Sequence, residues 1–114
     1  MSGFHRVCSI FDLDEGKVLT AEVEGEPVAI VCSQDSVFAI RNVCSHASVP
    51  LSEGEVEDCA IECWLHGSRF DLRTGKPLGP PATRWVPVYT VTIDGEDVLV
   101  AIEEPEGHLG RESV

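Results

Sequence analysis

The sequence predicts an all-β fold, a small antiparallel β sandwich or barrel carrying a subdomain built from two loops. Three observations lead there. Short runs alternate apolar and polar residues with period two, as residues 18–24 (VLTAEVE) do, which is the pattern of a strand with one face in a core. Turn residues separate these runs, and Asp94-Gly95 stands between two of them; Asp-Gly there is a strong hairpin signal because glycine accepts the positive φ of a tight turn. No segment of helix length shows a clean 3.6-residue period.

Taken in order, residues 4–11 (FHRVCSIF) read as a first strand, and residues 18–24 as a second. Gly25-Glu26 turns the chain into 27–33 (PVAIVCS), and Gln34-Asp35-Ser36 turns it again into 37–42 (VFAIRN), a meander of antiparallel strands. A short strand-like run, 59–63 (CAIEC), stands alone in the middle, and 86–93 (VPVYTVTI) with 97–103 (DVLVAIE) forms a closing hairpin. So many short strands in so short a chain suit a sandwich or barrel. Residues 43–58 and 64–84 break the pattern with polar residues, prolines and glycines, and long loops in a compact domain usually carry function. The charged stretch 105–114, with Pro105 and Gly107, is expected to be a flexible tail.

With 114 residues, 43% of them hydrophobic, and a mean hydropathy of +0.04, the chain suits one soluble domain. No apolar run approaches the roughly 20 residues that span a bilayer. The first residues lack the basic start and apolar centre of a secretory signal, so a cytoplasmic protein is expected. Net charge is −12, from 20 acids against 8 bases. That excludes nucleic acid and anionic membrane as partners, because both demand a positive surface, and it permits steering toward a basic partner. Five cysteines are an odd number, which argues against a disulfide framework and for free thiols or metal ligands.

The two loops carry the chemistry. The first supplies Cys44-Ser45-His46 and the second Cys63-Trp64-Leu65-His66. Two sulfurs and two imidazole nitrogens suit tetrahedral zinc or an iron–sulfur cluster. Zinc fingers commonly pair like with like and place the histidines on a helix. Here each loop is mixed and helix-free, so a binuclear cluster accounts for the pairs better: Cys44 and Cys63 can reach one iron while His46 and His66 reach the other. A structural zinc module remains the alternative of a different class.

Cys-x-His followed by Cys-x-x-His, each on a loop of a small β domain, resembles the Rieske [2Fe–2S] family. The likeness continues through HGSRFDLRTGKPLGPPA (residues 66–82), similar to the stretch after the second ligand pair in Rieske ferredoxins, and covers about residues 3–104. The resemblance implies one [2Fe–2S] cluster per chain. It assigns Cys44 and Cys63 to the inner iron, and His46 and His66 to the outer, near-surface iron through Nδ1, with Nε2 toward solvent or a partner.

Charge counting then states what such a cluster does. Two ferric ions, two sulfides and two thiolates sum to zero, and one electron takes the sum to −1; with four thiolates the step would be from −2 to −3. The potential therefore rises, to roughly −150 to +300 mV against about −400 mV for plant-type clusters. High-potential family members resemble C-x-H-x-x-C and C-x-C-H with a disulfide between the loops, whereas Val49 and Leu65 occupy those extra positions here. They also carry a tyrosine where this chain has Phe70. Both departures imply the low end of the range, modestly lifted if the Ser68 hydroxyl donates to the cluster. Loss of the remaining imidazole protons would lower the potential further at alkaline pH.

The implied function is that of a soluble, monomeric one-electron carrier. It would run from a flavin-dependent NAD(P)H ferredoxin reductase to a non-haem iron oxygenase such as a ring-hydroxylating dioxygenase. Nothing in the sequence resembles a substrate pocket, a nucleotide loop or a catalytic triad, so it is not expected to be an enzyme itself. The alternatives are a Rieske ferredoxin of iron–sulfur cluster assembly and the small subunit of an assimilatory nitrite reductase. Other residues receive plainer expectations. Cys8, Cys32 and Cys59 are read as small buried hydrophobes, Trp64 and Leu65 as packing around the cluster, and Trp85 as core. His5 and His108 belong on the surface, and Arg69, Arg73, Lys76 and Arg84 pair with Asp71 and nearby acids.

Overall fold

The computed structural model describes residues 4–44, 49–65, 67–79 and 84–102. Nine strands are found among them: β1 (Phe4–Ser9), β2 (Val18–Val23), β3 (Glu26–Ser33), β4 (Ser36–Arg41), β5 (Val56–Glu57), β6 (Ala60–Glu62), β7 (Arg69–Asp71), β8 (Val88–Asp94) and β9 (Asp97–Ala101). They form a six-stranded sheet in the order β1-β9-β8-β4-β3-β2 and a three-stranded sheet in the order β5-β6-β7. Every strand pair is antiparallel. The two edge strands β1 and β2 approach each other, so the larger sheet is nearly closed. No α-helix occurs among the described residues; short 3₁₀ turns stand at Ile10–Asp12 and Leu51–Glu53.

Two-residue turns set the register. Glu24 and Gly25 (φ 52° and 83°) join β2 to β3, and Gln34 and Asp35 (φ 54° and 64°) join β3 to β4. Positive φ at both central residues matches the right-handed twist of the flanking strands. The first of these turns lies one residue before the Gly25-Glu26 expected from sequence. Gly95 (φ 66°) is the first of the two residues between β8 and β9, as the hairpin signal predicted. A third turn of this kind, Asp58-Cys59 (φ 55° and 61°), joins β5 to β6 and had no sequence signal, because neither residue is glycine or asparagine.

β3 is buried on both faces. Val28 and Ile30 face one apolar cluster with Ala39, Tyr89, Val98 and Val100; Ala29 and Val31 face another with Ile40, Leu51, Ile61 and Phe70. Side chains alternate sides along a strand, so the unbroken apolar run 28–31 serves two cores at once. The second core joins the large sheet to the three-stranded one.

Several expectations are corrected at their edges. The first strand stops at Ser9, because the Ser9 hydroxyl accepts the Phe11 N–H (3.1 Å) and the Asp12 carboxylate accepts the Ser9 N–H (3.0 Å), a reciprocal cap that starts a 3₁₀ turn. Residues 43–58 and 64–84 are not wholly loop: they contain β5 and β7, two and three residues long, too short to show a period. Trp85 is not core but 36% exposed, and precedes β8. The expected tail 105–114 lies outside the described residues.

Glycine is required at two kinds of position. Gly75 (φ +82°) packs so that a Cβ would sit 2.0 Å from the Val86 carbonyl oxygen, whereas a Cβ on Gly25 (φ +83°) would meet nothing within 4 Å. Gly25→Ala should therefore cost only the left-handed penalty, about 1–2 kcal/mol. Gly75→Ala should cost clearly more, because a steric clash with backbone is added. Urea unfolding of the two variants checks this, and equal losses would contradict it.

Candidate metal centre

Cys44 follows β4, and Cys63 directly follows β6. Both are buried, at 3% and 1% exposure, and both belong to the core between the two sheets, with Leu51, Ile61, Phe70, Leu72 and Val86. The two cysteines that sequence placed in different loops thus share one apolar cluster. His46 and His66 lie outside the described residues, and among the described residues alone no group of three or more metal-ligating side chains is found.

Each loop is closed by its own backbone. The Cys44 N–H donates to the Val49 carbonyl at 2.9 Å, tying off the segment that contains His46. The Cys63 N–H donates to the Ser68 carbonyl (2.6 Å) and the Gly67 N–H to the Cys63 carbonyl (2.9 Å), tying off the segment that contains His66. Gly67 adopts φ +79°, a conformation that favours glycine.

Two further contacts fix the first loop. Asn42, just past β4, receives the Ser52 N–H on Oδ1 (2.7 Å) and donates through Nδ2 to Ser52 Oγ (3.1 Å), while its own N–H reaches the Pro27 carbonyl (2.9 Å). The whole first loop is therefore pinned at its base. Gly54 then packs onto β6, where a Cβ would lie 1.5 Å from the Glu62 carbonyl oxygen. Neither residue was singled out from sequence; the only signal was a glycine and an asparagine bordering a polar loop.

The donor chemistry fits a metal group. A thiolate buried in apolar surroundings needs a compensating positive charge, and a metal supplies it. Cys59 is equally buried in the same cluster, yet it occupies a turn with positive φ, and burial pushes its thiol above the ordinary 9.0, with a hydrogen bond to Ser33 acting the other way. It behaves as the filler that sequence suggested. Cys8 is buried too; Cys32, next to the last residue of β3, is only half-buried.

Surroundings of the loops differ from expectation in one respect. Trp64 and Leu65 are 49% and 39% exposed, so they face outward next to buried Cys63. Phe70 is fully buried and Val49 packs against the same core. Of the local bases, Arg73 meets Asp71 at 3.4 Å as expected, and Arg69 donates to the Glu57 carbonyl at 2.8 Å. His5 lies on the surface beside Glu24 at 2.7 Å, and His108 lies outside the described residues.

Comparison with known proteins agrees with this arrangement. A family model described as the Rieske [2Fe-2S] domain matches residues 3–90. The ferredoxin component of biphenyl 2,3-dioxygenase from Rhodococcus jostii (strain RHA1) is 40% identical over 98 residues, 86% of this chain and 92% of that protein. Among solved structures, the ferredoxin of carbazole 1,9a-dioxygenase from Nocardioides aromaticivorans IC177 superposes with a TM-score of 0.86 at 40% identity, covering 90% of this chain and 100% of that one. A ferredoxin solved in complex with the oxygenase of carbazole 1,9a-dioxygenase gives 0.85 at 31% identity, covering 90% and 96%.

Substitution separates the thiols. Cys44→Ala and Cys63→Ala should each abolish iron binding, whereas Cys59→Ala, from the same apolar cluster, should keep full iron and sulfide content. Elemental analysis of the purified variants decides; iron lost with Cys59 alone would reassign the site.

Proposed function

The chain belongs to the Rieske [2Fe–2S] family, and from that premise we propose that it is a one-electron carrier in which Cys44, His46, Cys63 and His66 hold a single cluster. It works in the cytoplasm, takes electrons from a flavin-dependent NAD(P)H ferredoxin reductase and passes them to a non-haem iron oxygenase. It is not itself catalytic. The observation that carries the reading is the pair of buried cysteines, brought from two self-closed loops into one core, in a chain whose relatives are ferredoxin components of dioxygenase systems over nearly their whole length. Those relatives favour the oxygenase role over that of a nitrite reductase subunit.

When bound, the cluster supplies a single one-electron couple. The protein's part is to hold it and set its surroundings. Leu51, Ile61, Phe70 and Leu72, all fully buried, exclude water from the cysteine side. A dry environment disfavours the added negative charge and keeps the potential low. Phe70 offers no hydroxyl to offset this, and Val49 and Leu65 leave no cysteines for a disulfide between the loops. Ser68, only 1% exposed, is the one buried hydroxyl among the described residues of the second loop.

Purified protein should contain iron and acid-labile sulfide in equal amounts, with a visible spectrum that bleaches on reduction and an electron paramagnetic resonance signal in the reduced form only. Zinc without iron would sink the proposal. If the Ser68 hydroxyl stabilises the reduced cluster, Ser68→Ala should lower the potential by about 20–60 mV, the one-electron equivalent of roughly 0.5–1.5 kcal/mol. An unchanged potential in a redox titration would remove Ser68 from the account.

A further inference from the structure

Glu62 is the last residue of β6 and stands immediately before Cys63. Its backbone is held from two sides: its N–H donates to the Glu55 carbonyl at 2.8 Å, and its carbonyl meets Gly54 in the close approach described above. Its side chain is half-buried and lies along the second loop, with Oε2 3.6 Å from where a Cβ on Gly67 would stand. The carboxylate therefore lies within van der Waals reach of the Gly67 position.

The charge is also left without its obvious neutraliser. Arg69 is the direct cross-strand partner of Glu62 in the β6–β7 register, and opposite charges at such a site usually pair. The Arg69 guanidinium instead reaches the Glu57 carbonyl. None of the four ion pairs found among the described residues includes Glu62. A negative charge thus stands beside the second loop, on the residue before a buried cysteine.

We propose that Glu62 sets the reduction potential of the centre, its carboxylate holding the potential down by repelling the added electron. The inference rests on the carrier reading. The step is a one-electron transfer from a flavin-type reductase: the site's charge falls from 0 to −1, and no bond is made or broken. A fixed negative charge raises the energy of the reduced state more than that of the neutral oxidised state. It does so appreciably in a partly buried setting, where screening is incomplete. Glu62 is a positioning residue for charge and not a ligand.

The test is a mediated redox titration of cluster-loaded protein at fixed pH and ionic strength, followed by electron paramagnetic resonance. Glu62→Gln should raise the equilibrium constant for reduction about three- to tenfold, or ~30–60 mV for one electron. Glu62→Met, a second neutral variant, should do the same. Glu62→Asp keeps the charge and should retain most of the wild-type potential, and Asp94→Asn, at the exposed β8–β9 hairpin, should leave it unchanged. Neutral variants at the wild-type potential would overturn the proposal. So would a Glu62→Asp shift as large as that of Glu62→Gln, an equal shift in Asp94→Asn, or failure of both neutral variants to load a cluster, which would make Glu62 structural. A wild-type protein with no reducible cluster would overturn the carrier reading instead.

Discussion

The structure turns on one apolar core shared by two sheets, with Cys44 and Cys63 inside it. Ala29, Val31 and Ile40 of the large sheet meet Ile61 and Phe70 of the small one, with Leu72 just beyond it. A three-stranded sheet with strands of two and three residues is too small to be stable alone. It persists because its inward face is the lid of this core. The cysteines are therefore fixed by packing that the fold needs in any case. The site inherits the rigidity of the barrel without requiring rigid loops.

Much of the barrel could be read from the chain because its signals are local. Period-two alternation in residues 18–24 and Asp94-Gly95 between apolar runs each specify a structure within a few residues. The run 27–33 was equally visible, although why it is apolar without a break became clear only when it proved to serve two cores. β5 and β7 were invisible for a physical reason: two- and three-residue strands exist only because a partner strand and a shared core hold them. Trp85 misled because an aromatic residue before an apolar strand looks like core, whereas its place outside β8 is decided by tertiary packing.

The site shows the same division. The proposed ligands Cys44, His46, Cys63 and His66 can be read from residue type and spacing, and chemistry alone narrows such a set to very few metal groups. What the sequence conceals is the framing. Asn42 pins the first loop through Ser52, and Gly54 and Gly75 allow backbone approaches that no other residue permits. These contacts join residues eight or more positions apart, and no short motif encodes them.

Strand geometry finally explains how a carrier can be dry on one side and open on the other. Cys63 is 1% exposed, and its next two neighbours, Trp64 and Leu65, are 49% and 39% exposed. The chain leaves the core and reaches solvent within a single residue step, because β6 ends at Glu62 and the turn that follows swings outward. A carrier needs both conditions. Burial on the cysteine side keeps water from the redox centre, while the exposed Trp64 and Leu65 next to Cys63 keep the path from it to the surface short. A deeper site would protect the electron and slow its departure; a shallower one would release it to the wrong acceptor. The same abrupt edge leaves Glu62, at the end of β6, half-buried. There a charge can be held close to the second loop without being fully buried.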